Sequence, residues 1–417
     1  MLPRIFKQSD IPQRYHSNFI HLYLDIAWFG VLSGSAINFL NIYATRLGAS
    51  GLQIGLIGAM AAIVNLFLAI PAGRWIEKRN IGEAVFWSSV FFRIGYLLWI
   101  PLPWLFKEQG QIWALIILTF FMAIPLTPLG VGFNALFAEA VPEPYRAQVA
   151  STRNITFAIA YMTTSFISGT ILKNMTFPLG YQIIFGIGAF GAAMSSLHLY
   201  FVKPLQAASF ATPTTPQPAS IQQTISTRGI SSRLRLDIWS SPFRNVLLAL
   251  LAFHLTHFLT NPVYPLYNVR ILRLNDEHIG IGTALYYMTM LIGSLRFSRL
   301  AHRLGHKKVT GLGVASMAIY PFLLALSHEV WQYYVISLLG GFTWAWVNGA
   351  YANYMLERIP PTDRPSHLAW YIMIVNTSLL VSSLIAPLIA DRIGLAAALI
   401  LFAALRILAG WGILRWG

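Results

Sequence analysis

The chain has 417 residues, of which 56% are hydrophobic, 14% aromatic and only 10% charged. A soluble protein carries about 25% charged residues, so this chain has too little charge to cover a water-facing surface, and an ordinary soluble globule is excluded. The absence of cysteine excludes disulfides, thiolate metal sites and a cysteine nucleophile, whereas the formal net charge of +15 points to a polyanion or to a membrane surface.

Apolar stretches recur along nearly the whole chain, and each reaches the roughly 20 residues that a helix needs to cross about 30 Å of hydrocarbon. We therefore predict twelve transmembrane helices. The predicted helices cover residues 18–45, 51–72, 82–106, 111–138, 150–173, 179–202, 243–268, 279–298, 308–327, 331–355, 366–389 and 394–414.

Residues 203–242 interrupt this pattern, because they are rich in Ser, Thr, Pro and Gln. Such a composition cannot bury enough apolar area to fold alone. We predict a flexible cytoplasmic linker there. It divides the chain into an N-terminal six-helix bundle over residues 1–202 and a C-terminal six-helix bundle over residues 243–417.

The loop charges predict the orientation. Of the 29 Lys and Arg residues, 21 fall on the side of the two termini and 6 on the other side, while Arg93 and Arg406 lie within predicted helices. Positive loops stay cytoplasmic, so we predict a multi-pass protein of the plasma (inner) membrane with both termini cytoplasmic. Topology and contact with membrane lipids then account for the basic charge, and we expect no nucleic acid partner and a monomer.

Two sequence patterns occur once in each half. Residues 139–146 and 357–364 both read E-x-[VI]-P-x-x-x-R, after the fourth and the tenth predicted helix. A second pair, residues 73–80 and 298–308, follows the second and the eighth helix. Repetition at corresponding positions predicts two bundles related by pseudo-symmetry.

With these motifs the chain resembles the major facilitator superfamily of secondary transporters over essentially its full length. That family carries G-x-x-x-[DE]-[RK]-x-G-[RK]-[RK] between helices 2 and 3 and a weaker copy between helices 8 and 9. The matching residues here are Gly73, Glu77 and Lys78 in the first copy, and Arg303, Gly305, Lys307 and Lys308 in the second. The departures are Asn80, Ser298 and His302. The resemblance implies an all-α membrane protein of two six-helix bundles.

The charged residues of these motifs suggest a conformational latch. An acid and basic residues at fixed spacing from a glycine can pair with each other and with helix ends, and so hold one state of two rocking bundles. Ordinary positive-inside anchors are the alternative. The predicted latch residues are Gly73, Glu77, Lys78, Arg79, Arg146, Arg303, Gly305, Lys307 and Arg364.

Three residues are candidates for proton coupling. Asp25 is the only acid well inside a predicted helix, about 10 Å past its start. An ionised acid there faces a cavity, pairs with a base or carries a proton, with hydration at the interface as the alternative. His254 and His257 titrate near physiological pH and could relay protons, or they could simply bond neighbouring helices.

Polar and aromatic residues on several helices predict a substrate cavity. On the seventh helix, His254, His257, Asn261 and Tyr264 share one face, and the resemblance places helices 1, 4, 7 and 10 around a central cavity. The predicted cavity residues are Asn38, Asn41, Arg93, Asn134, His254, His257, Asn261, Tyr264, Trp344, Asn348, Tyr351, Trp370 and Asn376. Arg93 is alternatively a partner for Asp25, or a side chain that snorkels to the interface. We interpret Arg406 as snorkelling.

These features predict a secondary transporter that moves a small organic solute by alternating access. Aromatic rings with a few amides favour proton-coupled export of an amphipathic compound. Uptake of a polar metabolite is an alternative that would require more charged cavity residues, and a membrane sensor that does not transport is another. The phosphate-binding G-x-x-x-x-G-K-[ST] motif and the common hydrolase motifs do not occur, so we expect no enzyme activity, cofactor or metal site.

Overall fold

The computed structural model describes residues 13–205, 235–360 and 363–417. Most of the predicted linker, residues 206–234, lies outside the described residues, so its prediction stays open. The described residues form α-helices with short 3₁₀ and π turns, and no β-strand occurs among them.

Twelve long helices, numbered α1–α12, run through the described residues. Their bounds are α1 Gln13–Leu32, continued by a π turn Ser33–Ile37 and by Asn38–Arg46; α2 Gly51–Glu77; α3 Ile81–Ile94, continued by a 3₁₀ turn Gly95–Trp99; α4 Glu108–Ala140; α5 Glu143–Asn174; α6 Leu179–Phe201; α7 Phe243–Phe258, Val263–Leu266 and a π turn Tyr267–Ile271; α8 Asp276–Leu304; α9 His306–Ser316 and Ile319–Ala325; α10 Val330–Arg358; α11 Arg364–Ile393; and α12 Leu395–Trp416. The predicted fold class is confirmed.

Ten of these helices are long and apolar enough to cross a membrane. The remaining two, α8 and α10, have 29 residues each, which is ample length at about 1.5 Å per residue. Their lower hydropathy has a structural cause, because tyrosine, threonine and serine side chains of both helices face an internal cavity.

At several helix boundaries the sequence supplies a cap. Ser50 and Gln53 form a capping box at the start of α2, and the side chain of Asn275 accepts a hydrogen bond from the His278 backbone at the start of α8. A single glycine joins α11 to α12, where Gly394 adopts a φ of +88° that other residues rarely reach. These short connections force neighbouring helices to run antiparallel.

The two bundles pack in the same order. In the N-terminal half α1 packs on α5 and α6, α4 packs on α2 and α3, and α3 packs on α6. In the C-terminal half α7 packs on α11 and α12, α10 packs on α8 and α9, and α9 packs on α12. Adding six to each helix number of the first bundle gives the second, which confirms the predicted pseudo-symmetry.

Two helix pairs join the halves, α5 with α8 and α2 with α11, and the pseudo-symmetry relates one pair to the other. Glycines permit their close approach. A Cβ on Gly280 of α8 would lie 2.6 Å from the carbonyl oxygen of Ser165 and 3.0 Å from the Cα of Gly169, both on α5. The backbones therefore touch where no side chain intervenes.

The bridges between the halves are concentrated toward one face of the membrane. We call the face that carries Gln13 and Gly417 the terminal side, and the other the opposite side. Hydrogen bonds and ring contacts between the halves join α1, α5 and α8, α2 and α11, or the α1–α2 and α7–α8 connections, all at mid-membrane or on the opposite side. Among the described residues, none of these contacts joins the halves at the terminal side. The halves are thus bridged on the opposite side, and we call this conformation open toward the terminal side in that sense.

Some predicted boundaries are wrong. Helix α5 begins at Glu143 rather than at residue 150. Arg153, which the count of positive loop residues included, is buried inside this helix. Helix α8 runs from Asp276 to Leu304 rather than over 279–298. Exposed polar and charged residues, such as Gln148 on α5 and Arg303 on α8, hid these helix ends from a hydropathy criterion.

Substituting Gly280→Ala tests the close approach of α5 and α8. The added Cβ would push these backbones apart, and overpacking of this kind costs about 1–3 kcal/mol. We expect a lower melting temperature of the detergent-solubilised protein.

Gly186→Ala on α6 is the matched control, because a Cβ there meets nothing within 4 Å. In a helix, alanine is preferred over glycine by roughly 0.5–1 kcal/mol, so this variant should be neutral or more stable. Equal shifts for both variants would contradict the proposed close approach.

Candidate functional site

An internal cavity of about 270 Å³ lies where the two halves meet, beneath the seal. Its walls come from α1 and α5 of the N-terminal half and from α7, α8, α9, α10 and α12 of the C-terminal half. The lining residues are Asn38, Tyr161, His257, Asn261, Tyr264, Gly282, Thr283, Tyr286, Tyr287, Met317, Tyr320, Tyr333, Ser337, Gly340, Thr343 and Arg406. Because both halves contribute, rocking them against each other would reshape the cavity.

Tyrosine rings dominate the lining and connect the halves. Tyr161 of α5 stacks on Tyr287 of α8 with ring centroids 4.1 Å apart. The Tyr161 hydroxyl also donates to Oδ1 of Asn38 on α1, at 3.2 Å. Two of the six tyrosines are thus held across the seam, and their hydroxyls give an apolar cavity a polar rim.

Glycines in α8 and α10 make room for the rings. A Cβ on Gly282 would collide with the ring of Tyr333, and a Cβ on Gly340 would collide with the ring of Tyr320. The cavity shape therefore depends on the absence of side chains at these two positions.

Arg406 is the only Lys or Arg residue in this lining, and its side chain is only 2% exposed. Its Nη2 donates to the carbonyl oxygens of Thr256 (2.9 Å) and His257 (3.2 Å) and to Oγ1 of Thr260 (3.0 Å). Its Nη1 donates to the carbonyl oxygen of Met317 at 3.2 Å. The buried Nε–H has no hydrogen-bond partner among the described residues.

Two helix breaks supply these carbonyls. The first segment of α7 ends at Phe258 and that of α9 at Ser316. Carbonyls in the last turn of a helix lack partners within it and form the negative end of the helix dipole. They can solvate a buried guanidinium without neutralising it, and within the described ranges no carboxylate oxygen lies within 4.0 Å of Arg406.

The interpretation of Arg406 as a snorkelling side chain is wrong. The residue sits in the middle of the 22-residue helix α12, about 15 Å from either end at 1.5 Å per residue. An arginine side chain cannot reach the interface over that distance. The guanidinium points into the protein instead.

The two predicted histidines have different surroundings. His257 lines the cavity and stacks on Trp344 of α10, with ring centroids 4.9 Å apart and an interplanar angle of 9°. His254 lies one turn earlier, where its Nε2 is 3.1 Å from the hydroxyl oxygen of Tyr371. In the described part of the chain, Nδ1 of both imidazoles is buried without a hydrogen-bond partner.

Asp25 lies away from the cavity, inside the N-terminal bundle, and is 3% exposed. Its carboxylate is 3.2 Å from Nη2 of Arg153 and 3.6 Å from Nη2 of Arg93, and Ser195 donates to it at 2.6 Å. Arg93 therefore does not line the cavity, and the expectation that it does is wrong. The alternative, in which Arg93 is a partner of Asp25, agrees with the structure. This cluster connects α1, α3, α5 and α6.

Four of the predicted cavity residues line the cavity, namely Asn38, His257, Asn261 and Tyr264. Of the others, Trp344, His254 and Tyr351 form a layer of rings behind His257. Asn376 accepts a hydrogen bond from Asn65 across the α2–α11 seam, Trp370 packs on Trp239, Asn41 is half-buried beside the lining, and Asn134 and Asn348 are exposed.

Sequence reasoning missed most of the tyrosines and Arg406. The signals were present, since α8 and α10 are less apolar than the other helices and Arg406 interrupts an otherwise apolar helix. An ionisable residue in mid-membrane is a functional candidate by default. Hydropathy alone could not show which face of each helix is turned inward.

The seal on the opposite side contains charged pairs. Nε and Nη2 of Arg46 lie 3.1 and 2.9 Å from Oδ1 of Asp276, at the start of α8. Lys173 pairs with Glu277 at 2.9 Å, and Arg270 donates to the carbonyl oxygen of Ala49. All three interactions link one half to the other.

The family profile described as Major Facilitator Superfamily matches this chain twice, over residues 26–258 and 246–416. The chain belongs to the major facilitator superfamily. The resemblance expected from the motifs is thereby confirmed, and the protein is a multi-pass membrane transporter.

Individual relatives within the superfamily are distant. A cis,cis-muconate transport protein of Acinetobacter baylyi is 24% identical over 261 residues, which span 60% of this chain and 58% of the relative. The solved structure of the nucleoside transporter NupG superposes with a TM-score of 0.67 at 13% identity, over 95% of this chain and 98% of that one. A POT family transporter in complex with a thioalcohol-conjugated peptide gives 0.64 at 14% identity, over 95% and 94%. These two structures show the fold alone.

The superfamily motif residues lie on the terminal side, where this conformation is open. Glu77, Lys78 and Arg303 are exposed, and Arg79 lies over the ring of Trp75 at 4.7 Å. Within the described residues, none of the predicted latch residues forms an ion pair with the other half. A latch would close only in the other conformation, so this role stays a prediction.

The remaining latch candidates have local roles. Arg146 donates to the carbonyl oxygens of Ala138 and Val141, which caps the end of α4. Gly305 adopts a φ of +78° between α8 and α9. Gly73 and Lys307 are half-buried, while the side chain of Arg364 lies outside the described residues.

Asp276→Asn tests the seal. Removing the partner of Arg46 should shift the superfamily's two-state equilibrium toward opening on the opposite side, by about fivefold for a pair worth up to about 1 kcal/mol. Because the chain has no cysteine, Asn261→Cys provides a single reporter in the cavity. We expect a membrane-impermeant maleimide added from the opposite side to label it faster in the Asp276→Asn background.

Lys173→Gln is the control for this prediction. Its partner Glu277 lies in the same seal, but the Lys173 side chain is 52% exposed, and exposed ion pairs contribute little. Labelling that is no faster in Asp276→Asn than in Lys173→Gln would show that the Arg46–Asp276 pair does not hold the seal.

Proposed function

We propose that this transporter carries a small polar organic solute by alternating access, with the tyrosine-lined cavity as its binding site and protons as the coupling ion. The observation that carries the proposal is the position of the cavity. It lies at the seam, is walled by helices of both halves, and is closed by the seal on one side only. A solute bound there would meet alternate sides of the membrane as the halves rock.

The loop charges support an orientation. The predicted loops on the side of the termini hold 21 of the 29 Lys and Arg residues, and 20 once Arg153 is counted with helix α5 (21 − 1), so the positive-inside rule favours a cytoplasmic location for both termini. In the plasma membrane, the described conformation would then open to the cytoplasm.

Proton coupling is best assigned to His257. Its imidazole lines the cavity, next to any bound solute. Asp25 is paired with two arginines inside the N-terminal bundle, and a carboxylate held by two cations must lose those contacts before it can carry a proton. His254 is one ring further from the cavity and supports His257 through the shared aromatic layer.

The cavity favours a polar solute over an uncharged amphipathic one. The expectation of export depended on an aromatic cavity and a lone membrane acid, whereas uptake required more charged cavity residues, and Arg406 supplies such a charge. Six tyrosine rings still supply apolar faces, so a small planar or unsaturated body with a polar group fits the lining best.

Proton-driven transport can be measured in proteoliposomes loaded with the pH dye pyranine. The solutes tested would be cis,cis-muconate, uridine and a dipeptide, which represent the classes named for the relatives. We expect at least one to drive a change in internal pH with the wild-type protein. His257→Gln should reduce that solute-dependent proton movement by about tenfold or more, since it removes the titrating group.

His328→Gln is the matched control, because His328 is exposed in the connection between α9 and α10, and its proton movement should equal that of the wild type. A solute flux whose rate does not change with an imposed pH gradient would refute proton coupling. Absence of flux for every solute, from either side, would favour a sensor that does not transport.

A further inference from the structure

The positive charge of Arg406 has no counter-charge in the described structure. The chain has only 14 acidic residues. Among the described acids, Asp25 is the one that lies deep inside a helix, and its carboxylate already pairs with Arg93 and Arg153. The other described acids lie at or near helix ends, and within residues 13–205, 235–360 and 363–417 none pairs with Arg406.

Carbonyl dipoles hold this guanidinium but do not neutralise it. Burial of an isolated charge is unfavourable unless a partner of opposite sign is present. The Nε–H is buried and unpartnered among the described residues, and the guanidinium borders an empty volume of about 270 Å³. A ligand that brings a negative charge would therefore gain a charge-assisted hydrogen bond that a neutral ligand cannot make.

The rest of the lining indicates what the anion carries. Rings of Tyr161, Tyr286, Tyr287 and Tyr320 border the same space, and these favour a planar or unsaturated body. A carboxylate is the anionic group whose planar geometry matches a guanidinium. The small volume restricts the ligand to one ring or a short unsaturated chain.

His257 connects anion binding with protonation. The charged and titratable groups around its imidazole are Arg406 from α12 and His254 on α7 itself, and tyrosines of α5, α7, α8, α9 and α10 line the same cavity; no described carboxylate is among them. A positive charge on His257 is opposed first by burial and then by the uncompensated charge of Arg406. A bound carboxylate cancels the charge of Arg406 and so removes the second of these two costs.

We propose that the cavity is an organic-anion site, in which Arg406 holds a carboxylate and His257 takes up a proton together with it. This inference rests on the proposed transport function and specifies its substrate class. Anion and proton bind cooperatively because their charges are opposite, so they cross together. With an inward proton gradient, such a symport produces uptake, in place of the export expected from the sequence.

Binding to the full-length protein in phosphatidylcholine nanodiscs tests the anion site without requiring transport. Isothermal titration would compare benzoate with benzamide, and cis,cis-muconate with its diamide. We expect at least one carboxylate to bind about tenfold or more tightly than its amide, as a charge-assisted hydrogen bond predicts. Arg406→Gln should lose this preference, and Arg406→Lys should retain part of it.

Arg392→Gln is the matched control, because Arg392 is exposed at the end of α11, and it should keep the wild-type preference. The wild-type comparison of the carboxylate with its amide tests the anion site even if the Arg406→Gln variant does not fold. Equal affinity for acid and amide, binding of neither carboxylate, or an unchanged preference in a folded Arg406→Gln variant would each overturn the anion site.

Proton uptake on binding is measured in weakly buffered solution with a pH dye. Benzoate or muconate binding should take up about one proton per molecule in the wild type, and His257→Gln should bind the carboxylate without taking up a proton. Uptake that persists in His257→Gln would refute the role of His257.

The proposed transport function and the proposed anion site can be refuted separately. Carboxylate binding with no flux in proteoliposomes would sustain the anion site and contradict transport. Proton-coupled flux of uridine or the dipeptide without any preference for carboxylates would sustain transport and contradict the anion site.

Discussion

The burial of the Arg406 guanidinium in mid-membrane is the constraint on which the cavity depends. It is held by carbonyls that become available only because α7 and α9 are interrupted. Regular helices at these positions would use those carbonyls internally and leave the cation unsolvated. The breaks therefore solvate Arg406 and are more than local irregularity, and they direct both helix ends toward the cavity.

The two halves share a helix arrangement but differ in how their buried charges are paired. In the N-terminal half an acid and two arginines form a closed cluster of side chains that connects four helices. In the C-terminal half the buried Arg406 borders the cavity. Pseudo-symmetry thus provides a common scaffold, on which one half carries a closed ion cluster and the other carries a buried arginine beside the cavity.

Glycines and ion pairs lie where the two halves meet. Close backbone approach at Gly169 and Gly280 lets α5 and α8 meet without intervening side chains, and the Arg46–Asp276 pair closes the same face. The motif residues that first indicated the family lie at the other face, where this conformation is open. Interactions between the halves are thus described at one face, and the latch at the other face stays a prediction.

The sequence by itself determined the helix number, the duplication and the family, because long apolar runs, loop charges and repeated motifs are properties of consecutive residues. It also indicated Asn38, His257, Asn261 and Tyr264 as cavity residues, since their spacing on single helices is readable. Only the tertiary structure decided that Arg93 pairs with Asp25 and that Arg406 faces inward beside His257. Those roles depend on which helices are neighbours and how each is rotated, and the spacing of residues along one chain does not contain that information.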